Sequence, residues 1–175
     1  GMPSATHFPK KRILLILAAL LSAWLIAAAG LTGWLIHSNT VPALTEVTIP
    51  TAGLPAAFDG LRILQVSDLH DAEYGKDHAK TLALIREAQP DIILLTGDLV
   101  DLQRTNIPLT ETFCKEAVRI APCYYVTGNH EGRLSVETYA ELENALTAVG
   151  VTVLHGTAVT LEREGQTIAL AGVDS

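Results

Sequence analysis

Three short clusters in this sequence bring together side chains able to hold a cation or move a proton: Ser67-Asp68-Leu69-His70, Gly97-Asp98-Leu99-Val100-Asp101 and Gly128-Asn129-His130-Glu131. Each supplies hard donors: carboxylate or amide oxygens and imidazole nitrogens. That set suits manganese, iron or zinc, and it lacks the thiolates of a structural zinc or iron–sulfur centre. Taken singly, the clusters say little. An Asp after a strand is more often a turn or helix-cap residue, and a lone His is more often a satisfied one. Their weight lies in joint placement, one per strand end in consecutive strand–helix units. Gly97 and Gly128 fit the same purpose, because tight turns let backbone and carboxylate approach an ion closely.

The elements that must position these clusters are legible from periodicity. Residues 61–67 read as a strand, with Ile63, Leu64 and Val66 apolar. Asp77 is expected to cap a helix whose Leu82, Ile85 and Ala88 share one face, closed by Pro90. Residues 92–96 form a continuous apolar run, the pattern of a strand buried on both faces. Pro108 opens a second helix with Leu109, Phe113, Ala117 and Ile120 at helical spacing, and residues 123–126 are a third strand. Ser135 is expected to cap a third helix with Tyr139, Leu142, Leu146 and Val149 inward, stopped by Gly150. Residues 151–154 are another strand, and 157–162 with 167–172 read as a hairpin. Val47 and Ile49 alternate with polar residues before Pro50, which predicts a short edge strand. Strands alternating with helices predict an α/β fold with a largely parallel sheet, and ligands in such sheets bind beyond the carboxyl ends of the strands.

In that order, Asp-x-His, Gly-Asp-x-x-Asp and Gly-Asn-His-Glu resemble the calcineurin-like metallophosphoesterases. The closer likeness is to the membrane-anchored bacterial phosphodiesterases of that superfamily. Stretches 61–70, 90–101 and 125–131 carry the likeness, which covers residues 47–175. The resemblance implies a two-sheet α/β sandwich and two divalent ions of manganese, iron or zinc. By it, Asp68 and His70 bind the first metal, Asp98 bridges both and Asn129 binds the second. It sets His130 facing the substrate phosphate, Glu131 where it orients that histidine, and Asp101 as a support behind the ligands. The physical logic agrees. Phosphate esters repel anionic nucleophiles, and two metals about 3.5–4 Å apart neutralise that charge and acidify a shared water. His130 then supplies acid help to the leaving group. The implied activity is hydrolysis of phosphate esters, diester or lipid-linked, and phosphate ester is the implied partner. The family pattern continues with an isolated His and a Gly-His-x-His loop, and neither occurs before Ser175. The expectation is a chain that stops inside its catalytic domain, with the alternative of a membrane-tethered, catalytically incomplete metal-binding or interaction module. His155 is read as structural or solvent-facing; His7, His37 and His78 are given no role.

The remaining sequence sets location and limits. Residues 13–36 carry no charge, and as a helix they extend about 36 Å, enough for a ~30 Å hydrocarbon core. Lys10, Lys11 and Arg12 precede this run and no basic cluster follows it, so the positive-inside rule predicts a cytoplasmic N-terminus at the cell membrane and an extracytoplasmic domain. The run exceeds the 7–15 residues of a secretory h-region, which favours a retained anchor over a cleaved signal. The expected division is a tail over 1–12, an anchor over 13–36, a linker over 37–45 and the phosphoesterase portion over 46–175. A net charge of −7 excludes an electrostatic nucleic-acid binder. Cys114 and Cys123 have neither zinc-site spacing nor disulfide-framework density and read as small buried side chains, with a bridge left open. Nothing in the sequence specifies an oligomeric state.

Overall fold

The computed structural model describes residues 10–40, 42–72 and 75–173. The chain divides into two units, Gly1–Val41 and Pro42–Ser175. In the first, helix α1 spans Lys10–Thr40, so it continues over the first residues read as linker. Its stretch Lys11–Trp34, 24 residues at mean hydropathy 2.5, meets the length and composition of a membrane span. A signal sequence meets the same test. The two hydroxyls along this stretch are satisfied within the helix, Ser22 Oγ donating to the Ala18 carbonyl at 2.9 Å and Thr32 Oγ1 to the Ala28 carbonyl at 2.8 Å. Bonds of this i−4 type remove donors that hydrocarbon could not satisfy. Most of the expected tail lies outside the described residues.

The second unit is built on a four-stranded parallel sheet in the order β1-β2-β3-β4, comprising Ile63–Val66, Ile92–Leu95, Cys123–Tyr125 and Thr152–Val153. Helices α2 (Ala79–Ala88), α3 (Ile107–Ala117) and α4 (Val136–Ala148) make the crossovers that parallel pairing requires. Strands β2 and β3 are interior, and β2 pairs Leu64 with Ile93 on one side and Ile93 with Cys123 on the other. Its apolar run is buried accordingly, with Ile93 and Leu95 fully enclosed. Against it pack Leu82 and Ile85 of α2, Phe113 and Ala117 of α3, and Leu142 and Leu146 of α4. Each Leu, Ile and Phe side chain among these contributes roughly 1.5–3 kcal/mol on burial, which is what holds the strand ends in place.

Helix starts follow local chemistry in two of three cases. Asn106 caps α3 by accepting from the Leu109 amide, with Pro108 in the first turn, and Ser135 caps α4 by accepting from the Thr138 amide. Asp77 does not cap α2. It sits at φ +54° inside a one-turn 3₁₀ segment, Lys76–His78, and α2 begins at Ala79 with no side-chain cap. The edge strand expected at Val47 and Ile49 is also absent. Both side chains are largely exposed, and a two-residue alternation with no ladder partner has nothing to hold it extended in a sheet. Beyond β4 the chain forms a separate antiparallel hairpin, β5 (Ala158–Arg163) and β6 (Gln166–Ala171). Glu164 and Gly165 turn it with φ of +51° and +75°, the positive pair that a tight hairpin turn requires.

Cys114 and Cys123 are free thiols, almost wholly buried. Burial pushes the Cys123 thiol up to about 12 and raises Cys114 by the same cause. Only the thiolate reacts. Both residues are therefore expected to resist Ellman's reagent in native buffer and to react at the rate of global unfolding. Rapid stoichiometric labelling of the folded protein would show that this part of the core opens readily.

Candidate metal centre

The three loops that follow β1, β2 and β3 lie side by side because the parallel ladder continues into them. The Asp68 amide donates to the Gly97 carbonyl at 3.3 Å, the His70 amide to the Asp98 carbonyl at 2.9 Å and the Asp71 amide to the Leu99 carbonyl at 3.1 Å. The backbone there is unusual: Asp68, His70, Asp71 and Asp98 all have φ between +47° and +57°. Asp and His tolerate this left-handed region better than most residues, yet four close together is a concentration of strain typical of functional loops. Gly97 and Gly128 meet back to back. A Cβ on Gly97 would lie 2.3 Å from Gly128 Cα, and one on Gly128 would lie 2.4 Å from Asp98 Oδ1. Only glycine permits that approach.

Around this crossing, ligating atoms of Asp68, His70 and Asp98 all fall within 4.8 Å of one another, as do those of His70, Asp101 and His130. His70 belongs to both groups. Its Nε2 stands 3.5 Å from Asp68 Oδ1, while its buried Nδ1 has no hydrogen-bond partner among the described residues. A buried polar atom without a partner is costly, and a cation on the imidazole is one remedy. The donor set therefore fits a divalent ion. Asp98 is buried and Oδ1 accepts from the His130 amide at 2.9 Å. The rings of His70 and His130 are tilted at 58° with centroids 4.5 Å apart. His130 Nδ1 accepts from the Leu102 amide at 3.4 Å. Asn129 lies exposed beside His130 in the same loop.

The two supporting acids do different work. Asp101 Oδ1 accepts from the Gln103 and Arg104 amides, and the Gln103 bond, then Arg104 and the nearby His130, hold its carboxyl below the usual value despite some desolvation. Glu131 is almost fully buried, and its carboxylate accepts from the amides of Asp98, Leu99, Val100 and Gly128. The resemblance sets it where it would orient His130; in the structure its carboxylate joins the β2 loop to the β3 loop. Asp71, not anticipated, does the same between the first two loops. Its Oδ2 accepts from the Asp101 and Asn106 amides at 2.8 and 3.0 Å, and its Oδ1 from Thr110 Oγ1 at 3.3 Å. The only signal for it was its place directly after His70.

The other histidines sit elsewhere. His155 pairs with Glu143 and with the Tyr139 hydroxyl, as a structural residue would. His78 is buried against Phe113, ring centroids 5.2 Å apart. His7 lies outside the described residues.

Comparison with known proteins shows the family of the chain. The Calcineurin-like phosphoesterase family profile matches residues 61–168, which contain all three loops. A transmembrane protein with metallophosphoesterase domain from Danio rerio is 30% identical over 159 residues, covering 87% of this chain and 36% of that protein. The metallophosphoesterase YkuE of Bacillus subtilis is 35% identical over 140 residues, covering 74% of this chain and 46% of its own length. The UDP-2,3-diacylglucosamine pyrophosphatase LpxG of Chlamydia trachomatis is 33% identical over 113 residues, covering 61% and 34%. The chain thus spans less than half the length of these relatives. With the profile covering residues 61–168, most of the chain, the chain belongs to the calcineurin-like phosphoesterase family.

Proposed function

We propose that this domain hydrolyses phosphate esters with two divalent ions of manganese, iron or zinc, held by Asp68, His70, Asp98 and Asn129. The observation that carries the reading is the convergence of ligating atoms of Asp68, His70 and Asp98 within 4.8 Å of one another. When bound, the ions supply charge neutralisation and a more acidic water. The chain's own residues supply orientation and proton transfer. Because the Leu102 amide donates to His130 Nδ1, the neutral ring carries its proton on Nε2. His130 therefore presents a donor to a phosphoryl or leaving oxygen. Glu131 and Asp71 tie the loops to one another, and Asp101 holds the turn that follows it, while charge builds on the substrate.

The substrate class proposed is a phosphodiester or a lipid-linked phosphate. Similarity to LpxG and a span-length apolar helix support the lipid-linked form. The test is a titration with Mn²⁺ and Zn²⁺ and an assay of bis-p-nitrophenyl phosphate hydrolysis, run on this chain and on a form of the relatives' length. Binding and turnover should vanish with EDTA and return with added metal. Turnover that persists without metal would end the proposal.

The domain is further proposed to lie outside the cytoplasm at the cell membrane, with residues 13–36 as anchor and the N-terminus inside. Lys10, Lys11 and Arg12 ahead of the apolar run motivate this orientation. A reporter that folds only in the cytoplasm, fused after Thr45, should stay dark; a bright fusion reverses the topology.

A further inference from the structure

Thr127 stands directly before the cluster Gly128-Asn129-His130-Glu131, and its Oγ1 lies 2.6 Å from the Tyr139 hydroxyl. The same hydroxyl lies 3.3 Å from His155 Nε2, and that nitrogen also pairs with Glu143 Oε1. Tyr139 and Glu143 are four residues apart on α4 and so share one face of the helix. Helix α4 is fixed by its fully buried Leu142 and Leu146. His155 follows the buried Leu154, whose amide donates to the Tyr125 carbonyl at 2.9 Å. Of the four polar residues in this chain of contacts, only Thr127 belongs to a ligand-bearing loop.

The contacts assign a direction to the chain. Facing a carboxylate, His155 Nε2 carries a proton and can only donate. The Tyr139 oxygen accepts at that contact, and its O–H is directed to Thr127 Oγ1. Further along the loop, the Gly128 amide donates to Glu131 Oε2 and the His130 amide to Asp98 Oδ1. Those two bonds run between loops of the metal centre. The Tyr139 bond adds a hold from a helix that contributes no ligand. Resting on the reading of Asn129 as a ligand of the second ion, we propose that Tyr139 is a positioning residue for that ligand. It fixes the start of the loop through Thr127, and His155 with Glu143 fixes Tyr139.

The experiment measures amide exchange by ¹⁵N spectra on the full chain in detergent micelles, alongside calorimetric titration with Zn²⁺ alone. Tyr139→Phe and Thr127→Val each remove the hydroxyl contact and little else. Either should speed exchange of the Gly128 and His130 amides and weaken the second of two Zn²⁺ steps, each by about tenfold, the lower end of the loss when a partner behind a ligand is removed. The first Zn²⁺ step and exchange at the Leu95 amide should match the parent. Thr127→Ser keeps the hydroxyl and should restore both readings. Because Tyr139 acts through Thr127, the double variant should be no worse than either single one. His155→Ala should move both readings the same way by a smaller factor. If loop exchange or the second Zn²⁺ step is unchanged in Tyr139→Phe, the positioning role falls and the metal reading stands. A uniform rise in exchange that includes Leu95 is the mark of a merely structural tie and overturns the role as well. A parent chain that takes no second Zn²⁺ removes the reading of Asn129, and this proposal with it.

Discussion

Asp98→Ala is expected to weaken divalent-metal binding by at least about 100-fold, while His130→Ala leaves it within about threefold and slows hydrolysis by roughly 10²–10⁴-fold. The split follows from where the two side chains stand. Asp98 is buried at the crossing of Gly97 and Gly128, shares a ligand cluster with Asp68 and His70, and has no solvent to replace it. Its carboxylate also accepts from the His130 amide at 2.9 Å, so alanine removes a ligand and loosens the β3 loop together. Asp98→Asn separates these effects, keeping the acceptor and the shape while removing the charge. It should lose most of the metal affinity and retain the thermal midpoint. His130 is the sharper test, because its ring also falls within the cluster of His70 and Asp101. Should His130→Ala lose metal as completely as Asp98→Ala, His130 is a ligand and not the proton donor, and the assignment of roles is wrong. The measurements are calorimetric metal titration and turnover of bis-p-nitrophenyl phosphate, each on all three variants.

What the sequence disclosed was the part of this site written in side chains at strand ends. Apolar runs such as 92–95 announce a doubly buried strand, and once three are found the parallel order and the placement of loops follow from crossover geometry. Asp68, His70, Asp98 and His130 were legible for that reason. The connections holding them were not, because they run from carboxylates to backbone amides, and any residue type can offer an amide. Asp71 and Glu131 both act this way, one reaching amides 30 and 35 positions away and the other 31 to 33 as well as Gly128. Local rules misled at Asp77, where capping chemistry was present but the backbone turned left-handed, and α2 started two residues later. At Val47 and Ile49 alternation was real but no neighbouring strand exists among the described residues to pair with it. Pattern identifies an element only when a partner makes it worthwhile.

Glu131→Gln is expected to destabilise the domain by about 3 kcal/mol or more, although it changes one oxygen to nitrogen. Each carboxylate oxygen of Glu131 accepts two backbone amides: Oε2 those of Asp98 and Gly128 at 2.8 and 3.1 Å, Oε1 those of Leu99 and Val100 at 2.7 and 3.3 Å. A glutamine has one acceptor oxygen, so its amide nitrogen must point at two N–H groups whichever way it flips. Two donors are then left facing a donor in a site that is 1% exposed, where water cannot rescue them. A buried unsatisfied amide costs roughly 1–3 kcal/mol, and here there are two. Glu131→Ala should be at least as damaging, since it strands all four amides and leaves a void. The loops it gathers carry Asp98 and Asn129, so metal affinity should fall together with stability. If Glu131 acted chiefly by orienting His130, glutamine would keep the fold and alter only turnover. Urea unfolding followed by circular dichroism decides between the two. An unfolding free energy within about 0.5 kcal/mol of the parent, the scatter typical of a neutral surface change, would mean that the four amides do not depend on this carboxylate.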